Sequence, residues 1–595
     1  MRLPSVARLG LVSAVLAITA VVLAPLPFRL EANTAIAPEE AGRILVALRQ
    51  AGDADRELAW PESLAHVAED PLPLVLTLWK RGRREQVWQV DGKPLADAAK
   101  ELAGKLRNAR RDLADPSTRL QLDLATASGW VPHGGPLFAL SFVEGHDGVS
   151  AEVDGRRVYL SPSELIRLQK YGSFRPLPAF DAKFRIGLDR GRVMPSLGHA
   201  AERAFGKRGE AAALTRFRAL TVVEGSDLSP RRLLKASTDR PALTRGRGEA
   251  VVLAGAGYLA RALRPDGMYR YYWDPVADKD LPGVYNWPRH AGVSYSLALA
   301  GRLLERPELL EAAGRALERF EKELVPGPSG SRCLMAQGKC YVGSAALGLL
   351  ALSEYRLATG DARFDESARA VARFLRFMQK PDGFHHDWYP DKGIDRELMK
   401  LYATQQAILA LAIHARAVGG DAESLAAAEA GMDYLAGPYW DHFLGHWHFL
   451  QEHWTCLAAE ELYAARPKPE YARICHEVGR HYDRITLGID ETPFAEDAGG
   501  MSVTHIFTPH VGGTATAAEA MVSAAILGRA IGKDVSSIEE QLRQTFHFLA
   551  RGQVSAHDRF WIRRPRDAVG GFYESQTKTR LRIDTVQHAI SAIVR

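Results

Sequence analysis

Residues 342–379 read VGSAALGLLALSEYRLATGDARFDESARAVARFLRFMQ. Two helices of different character are written in this stretch. The first, over 342–352, is apolar on every side and rich in small residues, so it must be buried on every side. The second, over 365–379, sets Ala368, Val371, Ala372, Leu375 and Met378 on one stripe with Arg and Glu opposite, the pattern of a half-buried helix. Between them Gly360 and Asp361 supply a C′ glycine and an N-cap, and Gly420 and Asp421 repeat the device.

Working outward, wholly apolar segments recur at 291–300, 407–413 and 511–527, each alternating with an amphipathic helix. Two concentric rings produce that alternation, with the apolar members inside. From Glu249 to the C-terminus the pattern predicts six helical hairpins, an (α/α)6 toroid. Its inner helices are expected to start near 289, 341, 402, 451, 512 and 584, a degenerate repeat of the kind stacked helical units leave in a sequence. The connections RPDGMYRYYWDP (264–275), QKPDGFHHDWYPD (379–391) and VGGFYESQTKTR (569–580) share a glycine, an aromatic and then polar residues. They are expected to gather where the inner helices begin, around a funnel mouth fed by helix N-termini.

The remainder is different in kind. Residues 38–235 mix β-like runs with helices and read as an α+β domain, with strands expected at 72–79, 85–90, 137–142 and 156–161 and a helix from Ala96. The polar stretch 236–248 reads as a linker to the toroid at 249–595. At the N-terminus Arg2 and Arg8 precede an apolar run from Leu9 to Ala24, and residues 1–37 read as a signal peptide or a signal anchor. Export is therefore expected, to the periplasm or the outside, with residues 9–27 able to hold the chain at a membrane. Four cysteines in an exported chain raise a disulfide question: Cys333 with Cys340 in a Gly-rich loop, and Cys456 with Cys475 on successive helices.

Composition narrows the function classes. The chain has 595 residues, 46% apolar and 25% charged, and its 76 basic residues nearly balance 71 acidic ones for a net charge of +5. There is no basic stripe with interleaved aromatics, so nucleic acid is not an expected partner.

The polar residues at the inner-helix starts carry the chemistry. Tyr285, Asn286, Trp287, Arg289 and His290 open the first; Tyr402 and Gln406 the third; Glu452, His453 and Trp454 the fourth; His510 and Glu519 the fifth; Arg582, Asp584 and His588 the sixth. The long connections add Tyr271, Trp273, Asp387 and Trp388. Aromatic faces beside amides, Arg and carboxylates suit a sugar: rings stack on its C–H faces and acids do proton work. Asp387, Glu452 and Asp584 are the candidate acids or bases, with His290 and His453 as proton shuttles near neutral pH. Arg289 and Arg582 would favour a uronate carboxylate. No cofactor is expected, and no metal: the chain has no HExxH string, and its Cys and His spacings match no metal-ligand pattern.

The hairpins, the TGD-type turn, the QKPDGF loop and GGFYESQTKTRLRIDTVQHAISAI (570–593) resemble the six-hairpin toroid group. That group takes in six-hairpin glycosidases, uronyl hydrolases and epimerases, terpenoid cyclases, prenyltransferase β subunits and lanthionine cyclases. The resemblance covers 249–595 and implies the (α/α)6 architecture, with a ligand in the mouth. The zinc cyclases of the group need WCxG and CHG contexts, and the terpenoid cyclases need DxDD or DDxxD; neither set is present. GHDGVSAEVDGRRVYLSPSELI (145–166) is similar to the Gly-rich hairpin of AMMECR1-like domains, without their LRGCIG-type motif. The expectation is an exported carbohydrate-active enzyme acting on a polysaccharide or glycan by hydrolysis, β-elimination or epimerisation. The alternatives are a non-catalytic glycan- or peptide-binding envelope protein and a metal-dependent enzyme modifying a peptide or isoprenoid.

Overall fold

The structure is a computed structural model describing residues 30–54, 56–175, 186–241, 243–283, 285–390, 402–439, 453–502 and 507–595. The proposed signal segment up to residue 29 lies outside the described residues. The chain divides into two units, Met1–Asp239 with Ala556–Arg563, and Arg240–Ser555 with Arg564–Arg595.

The first unit is α+β. An antiparallel sheet runs in the order Ser237–Thr238, Pro230–Leu234, Ala212–Glu224, Arg119–Trp130, Leu74–Lys80, Arg83–Val90, and the hairpin Asp147–Val153/Arg156–Leu160 joins it on Ala212–Glu224. Helices Pro38–Ala54 and Leu95–Asn108 bury Ile44, Leu45, Leu48, Leu102 and Leu106 against Leu74, Leu76, Leu78, Leu120, Leu122 and Leu124. Alternation along each strand sends these leucines to the helix-covered face.

Two expectations for this unit need correction. The run at 137–142 is not a strand: Gly135–Leu140 is a short helix with Pro136 in its first turn, burying Phe138 and Ala139. A short apolar run has no period that separates the two states, and the Pro and preceding glycines favour a helix start. The stretch 236–248 is not a free linker either, since Ser237–Thr238 pairs with Leu233–Leu234 and a helix begins at Arg245. The unit also takes in Ala556–Arg563 from far along the chain. There Trp561 and Phe560 are buried, Phe560 meets Trp79 edge to face at 5.7 Å, and Asp558 accepts the Thr238 amide at 2.9 Å.

The second unit contains the toroid. Its long helices are α1 (Arg245–Ala262), α2 (Trp287–Leu303), α3 (Pro307–Glu321), α4 (Val342–Thr359), α5 (Asp365–Met378), α6 (Tyr402–Ala417), α7 (Ala422–Tyr434), α8 (His453–Ala465), α9 (Pro469–Arg484), α10 (Val511–Ala530), α11 (Ser536–Gly552) and α12 (Ile583–Val594). The even-numbered helices form the inner ring. Each packs on the next, α2 on α4 and so on to α10 on α12, and α12 returns to α2, which closes the circle. The inner starts at Trp287, Val342, Val511 and Ile583 fall within two residues of those read from the sequence, and α6 and α8 are helical from their first described residues, Tyr402 and His453. The stripe Ala368, Val371, Ala372, Leu375 and Met378 on α5 is buried as expected.

Inner-ring glycines let the helices approach closely. A Cβ on Gly348 of α4 would stand 2.3 Å from the Phe320 ring of α3, and one on Gly292 of α2 would stand 2.5 Å from the Gln587 amide of α12. Both cysteine pairs are joined as disulfides: Cys333–Cys340 within a loop hairpin, and Cys456–Cys475 between α8 and α9.

Candidate active site

The N-terminal ends of the inner helices surround a cavity of about 560 Å³, within the range of small-molecule sites. All six inner helices contribute to its wall: Asn286 and Arg289 at α2, Ser344 and Leu347 on α4, Gln406 on α6, His453 and Trp454 on α8, Thr516 on α10, and Asp584, Gln587 and His588 on α12. Tyr341, Asp387 and Trp388 complete it from the connections. Asn286 also caps α2, accepting the Arg289 amide at 3.1 Å.

Charge at the α2–α12 side is internally balanced. Asp584 accepts from Arg289 Nε at 2.7 Å and from Arg582 Nε at 2.5 Å. Arg582 stands 3.9 Å from Glu574 as well, and Arg289 donates to the Tyr271 hydroxyl. Burial would raise the Asp584 carboxyl, but Arg582 and Arg289 outweigh it and hold it below the usual carboxylate range. Asp584 is thus an ionised anchor and has no proton to donate. The uronate expectation loses its basis here, because the cations meant for the substrate are already neutralised by Asp584 and Glu574.

One turn further along α12, His588 meets His453 of α8, and the two histidines sit in opposite environments. His453 is 3% exposed and, among the described residues, neither ring nitrogen has a hydrogen-bond partner. Burial, with the neighbouring His588 charge, drives its pKa well below the ordinary histidine value, so its ring is neutral. Burial acts the same way on His588, but Glu519, 2% exposed, accepts from His588 Nδ1 at 2.8 Å, and its charge lifts His588 above the ordinary value. The rings meet edge to face at 89°, with centroids 5.3 Å apart. Ligand-type atoms of His453, Glu519 and His588 all lie within 4.8 Å of one another. The Glu519 carboxylate is hydrogen-bonded to His588, and His453 joins the pair through its ring contact with His588 alone.

Several sequence candidates belong elsewhere. His290 is fully buried behind the wall, its Nδ1 on the Tyr285 hydroxyl at 2.7 Å and its Nε2 on the Ala316 carbonyl at 2.9 Å. Burial lowers its pKa to about 4. With both nitrogens occupied it ties α2 to α3 and shuttles nothing. Tyr285 and Trp287 pack on that ring, with centroids 5.9 and 4.9 Å away. Trp273 is wholly buried beneath the Arg270 and Arg564 guanidinium groups, so it plugs the structure. His510 is exposed and caps α10, accepting the Gly513 amide. Tyr271, Glu519 and Arg582 stand behind wall residues. Glu452 lies outside the described residues, as does the Tyr402 side chain, although Tyr402 begins α6. Tyr341, Ser344 and Thr516 complete the wall. Thr516 was expected at the start of the fifth inner helix, and Ser344 was findable from the same register, since it sits in the first turn of α4.

No protein-family model matches the chain. No curated protein is similar to it at a meaningful level. Among solved structures, a cellobiose 2-epimerase from Bacillus thermoamylovorans has a TM-score of 0.45 and 12% identity, covering 59% of this chain and 98% of that one. A D-mannose isomerase has a TM-score of 0.46 and 14% identity over 60% and 98%. An α-1,6-mannanase from Salegentibacter has a TM-score of 0.41 and 12% identity over 59% and 98%. These proteins act on carbohydrates.

Proposed function

We propose that this protein is an exported carbohydrate-active enzyme that moves a proton at the carbon beside the carbonyl of a reducing sugar, epimerising or isomerising it. The observation that carries this reading is the pair His453 and His588 on one cavity wall, one ring buried with no hydrogen-bond partner among the described residues and the other hydrogen-bonded to the buried Glu519. Two titratable groups whose surroundings push them apart are an acid–base assignment. Neutral His453 takes the proton from carbon, leaving an enediolate. His588, cationic against Glu519, returns a proton to the oxygen or to the carbon, and each group is reset by the opposite transfer. Positioned proton transfer of this kind contributes about 10²–10⁴ in rate. Asn286, Gln406 and Gln587 are the amides placed to read hydroxyls, and Trp388, Trp454 and Tyr341 the rings placed to stack.

Hydrolysis is supported less well, because it needs one carboxylic acid that still holds its proton. Of the two described wall carboxylates, Asp584 is fixed as an anion. β-Elimination from a uronate needs spare positive charge, and Arg289 and Arg582 have none to spare. Two disulfides suit an oxidising compartment and, with the basic and apolar start of the chain, support export.

The test is solvent exchange. Incubated in D2O with a panel of reducing mono- and disaccharides, the protein should wash deuterium into C2 of at least one, seen by NMR, and form its epimer or ketose. Release of shorter sugars without exchange, or growth of an unsaturated-uronate absorbance, would replace this reading with hydrolysis or elimination.

A further inference from the structure

The Cys333–Cys340 disulfide lies directly under the cavity's aromatic wall. Strand Arg332–Ala336 pairs with Lys339–Tyr341, which in turn pairs with Trp388–Tyr389, with Cys340 opposite Tyr389 and Tyr341 opposite Trp388. Tyr341 and Trp388 both line the cavity, their ring centroids 6.4 Å apart. The Val342 amide donates to the Asp387 carbonyl at 2.9 Å, and Lys339 Nζ sits 4.4 Å over the Trp388 ring. Trp388–Tyr389 is two residues long and borrows its place from Lys339–Tyr341. A strand that short has no stability of its own.

Arg332–Ala336 is held on its other edge by Leu324–Pro326, but its pairing with Lys339–Tyr341 is short: only Met335 with Cys340 and Ala336 with Lys339 are in register. The turn between these two strands needs positive φ at both central residues, 51° at Gln337 and 75° at Gly338, and Gln337 adopts that region at a cost. The two cysteines, both buried, close this loop across a Cα–Cα distance of 5.8 Å, a separation a disulfide spans readily. We propose that Cys333 and Cys340 are positioning residues: their cross-link sets Tyr341, Asp387 and Trp388 against the substrate, so that substrate binding depends on the bond while the proton-transfer step at His453 and His588 does not. Part of this rests on the proposed function; the placement of the wall does not.

The experiment compares full-length wild type with Cys333→Ser/Cys340→Ser. Hydrogen exchange followed by mass spectrometry should speed up at 339–342 and 387–389 and stay unchanged on α8 and α12. On a sugar that turns over, KM should rise by about tenfold or more, since a wall displaced by an ångström forfeits contacts of that size, while kcat stays within about twofold. Unchanged exchange at 339–342 and 387–389 overturns the proposal, and so does faster exchange with an unaltered KM or with a loss confined to kcat. If the serine pair is not recovered folded, Cys333→Ala/Cys340→Ala gives the same comparison. Faster exchange in a protein whose wild type exchanges no sugar proton would sink the proposed reaction and leave the positioning role standing.

Discussion

Replacing His453 with Leu should leave stability within about 2 kcal/mol of wild type while removing most of the catalysis. The imidazole is 3% exposed and, among the described residues, neither nitrogen finds a hydrogen-bond partner. A buried polar group in that state costs about 1–3 kcal/mol, a cost that Leu removes. Against this stand the imperfect fit of a different shape, up to about 1.5 kcal/mol, and the ring contacts with Trp454 and His588 at 4.7 and 5.3 Å, worth about 0.5–1.5 kcal/mol together. The balance, positive in favour of the variant, runs from about −2 to about +2.5 kcal/mol and is centred near zero. Urea unfolding of wild type and His453→Leu, fitted with a common slope, reads that difference, while deuterium exchange into the sugar reads the loss, about 10²-fold or more for a removed general base. Destabilisation beyond about 2 kcal/mol would make His453 a packing residue. Turnover within about tenfold of wild type would show that it takes no proton.

Other substitutions separate the roles of the remaining groups. Asp584→Asn leaves Arg289 and Arg582 without their shared anion. Breaking a buried pair this way costs about 3–5 kcal/mol, and because the Arg289 side chain is 36% exposed the lower end is expected, seen as a Tm several degrees down in calorimetry. Glu519→Gln withdraws the charge that lifts His588, so the basic limb of the kcat/KM profile, which reports loss of the His588 proton, should move to lower pH. The stability linkage has the same origin: a raised histidine pKa stabilises the fold below the unfolded value of about 6.5 and ceases to as pH climbs through the folded value. The variant should therefore lose more stability at pH 6 than at pH 9, read from denaturant midpoints. Trp388→Ala should raise KM and spare kcat, because stacking acts on the bound sugar in ground and transition states alike.

The ring was legible because burial on all sides and burial on one side leave different marks on a helix. Residues 342–352 and 365–379 showed both marks within forty residues, and the same alternation placed every inner start. The cavity wall was legible in part: once the inner starts were fixed, Asn286, Gln406, His453, Trp454, Asp584 and His588 had to converge. Rank within the wall was not legible. His290 and His453 both lie at the start of an inner helix, but the nitrogens of one ring meet Tyr285 and Ala316 and those of the other have no hydrogen-bond partner among the described residues, a difference made by residues outside the helix. Arg289 and Arg582 read as carboxylate receptors until Asp584 and Glu574 are seen facing them. The helix at Gly135–Leu140 was misread because six apolar residues have no resolvable period, and the docking of Ala556–Arg563 in the first unit has no local signal at all.

The claim on which the account turns is the opposed protonation of two neighbouring rings. Protein labelled at histidine Cε1 with ¹³C, assigned by His453→Gln and His588→Gln, would report each ring's charge by NMR across pH 5 to 9. The account predicts that His453 stays neutral throughout while His588 remains cationic above the ordinary histidine midpoint. Two ordinary and coincident titrations would contradict it.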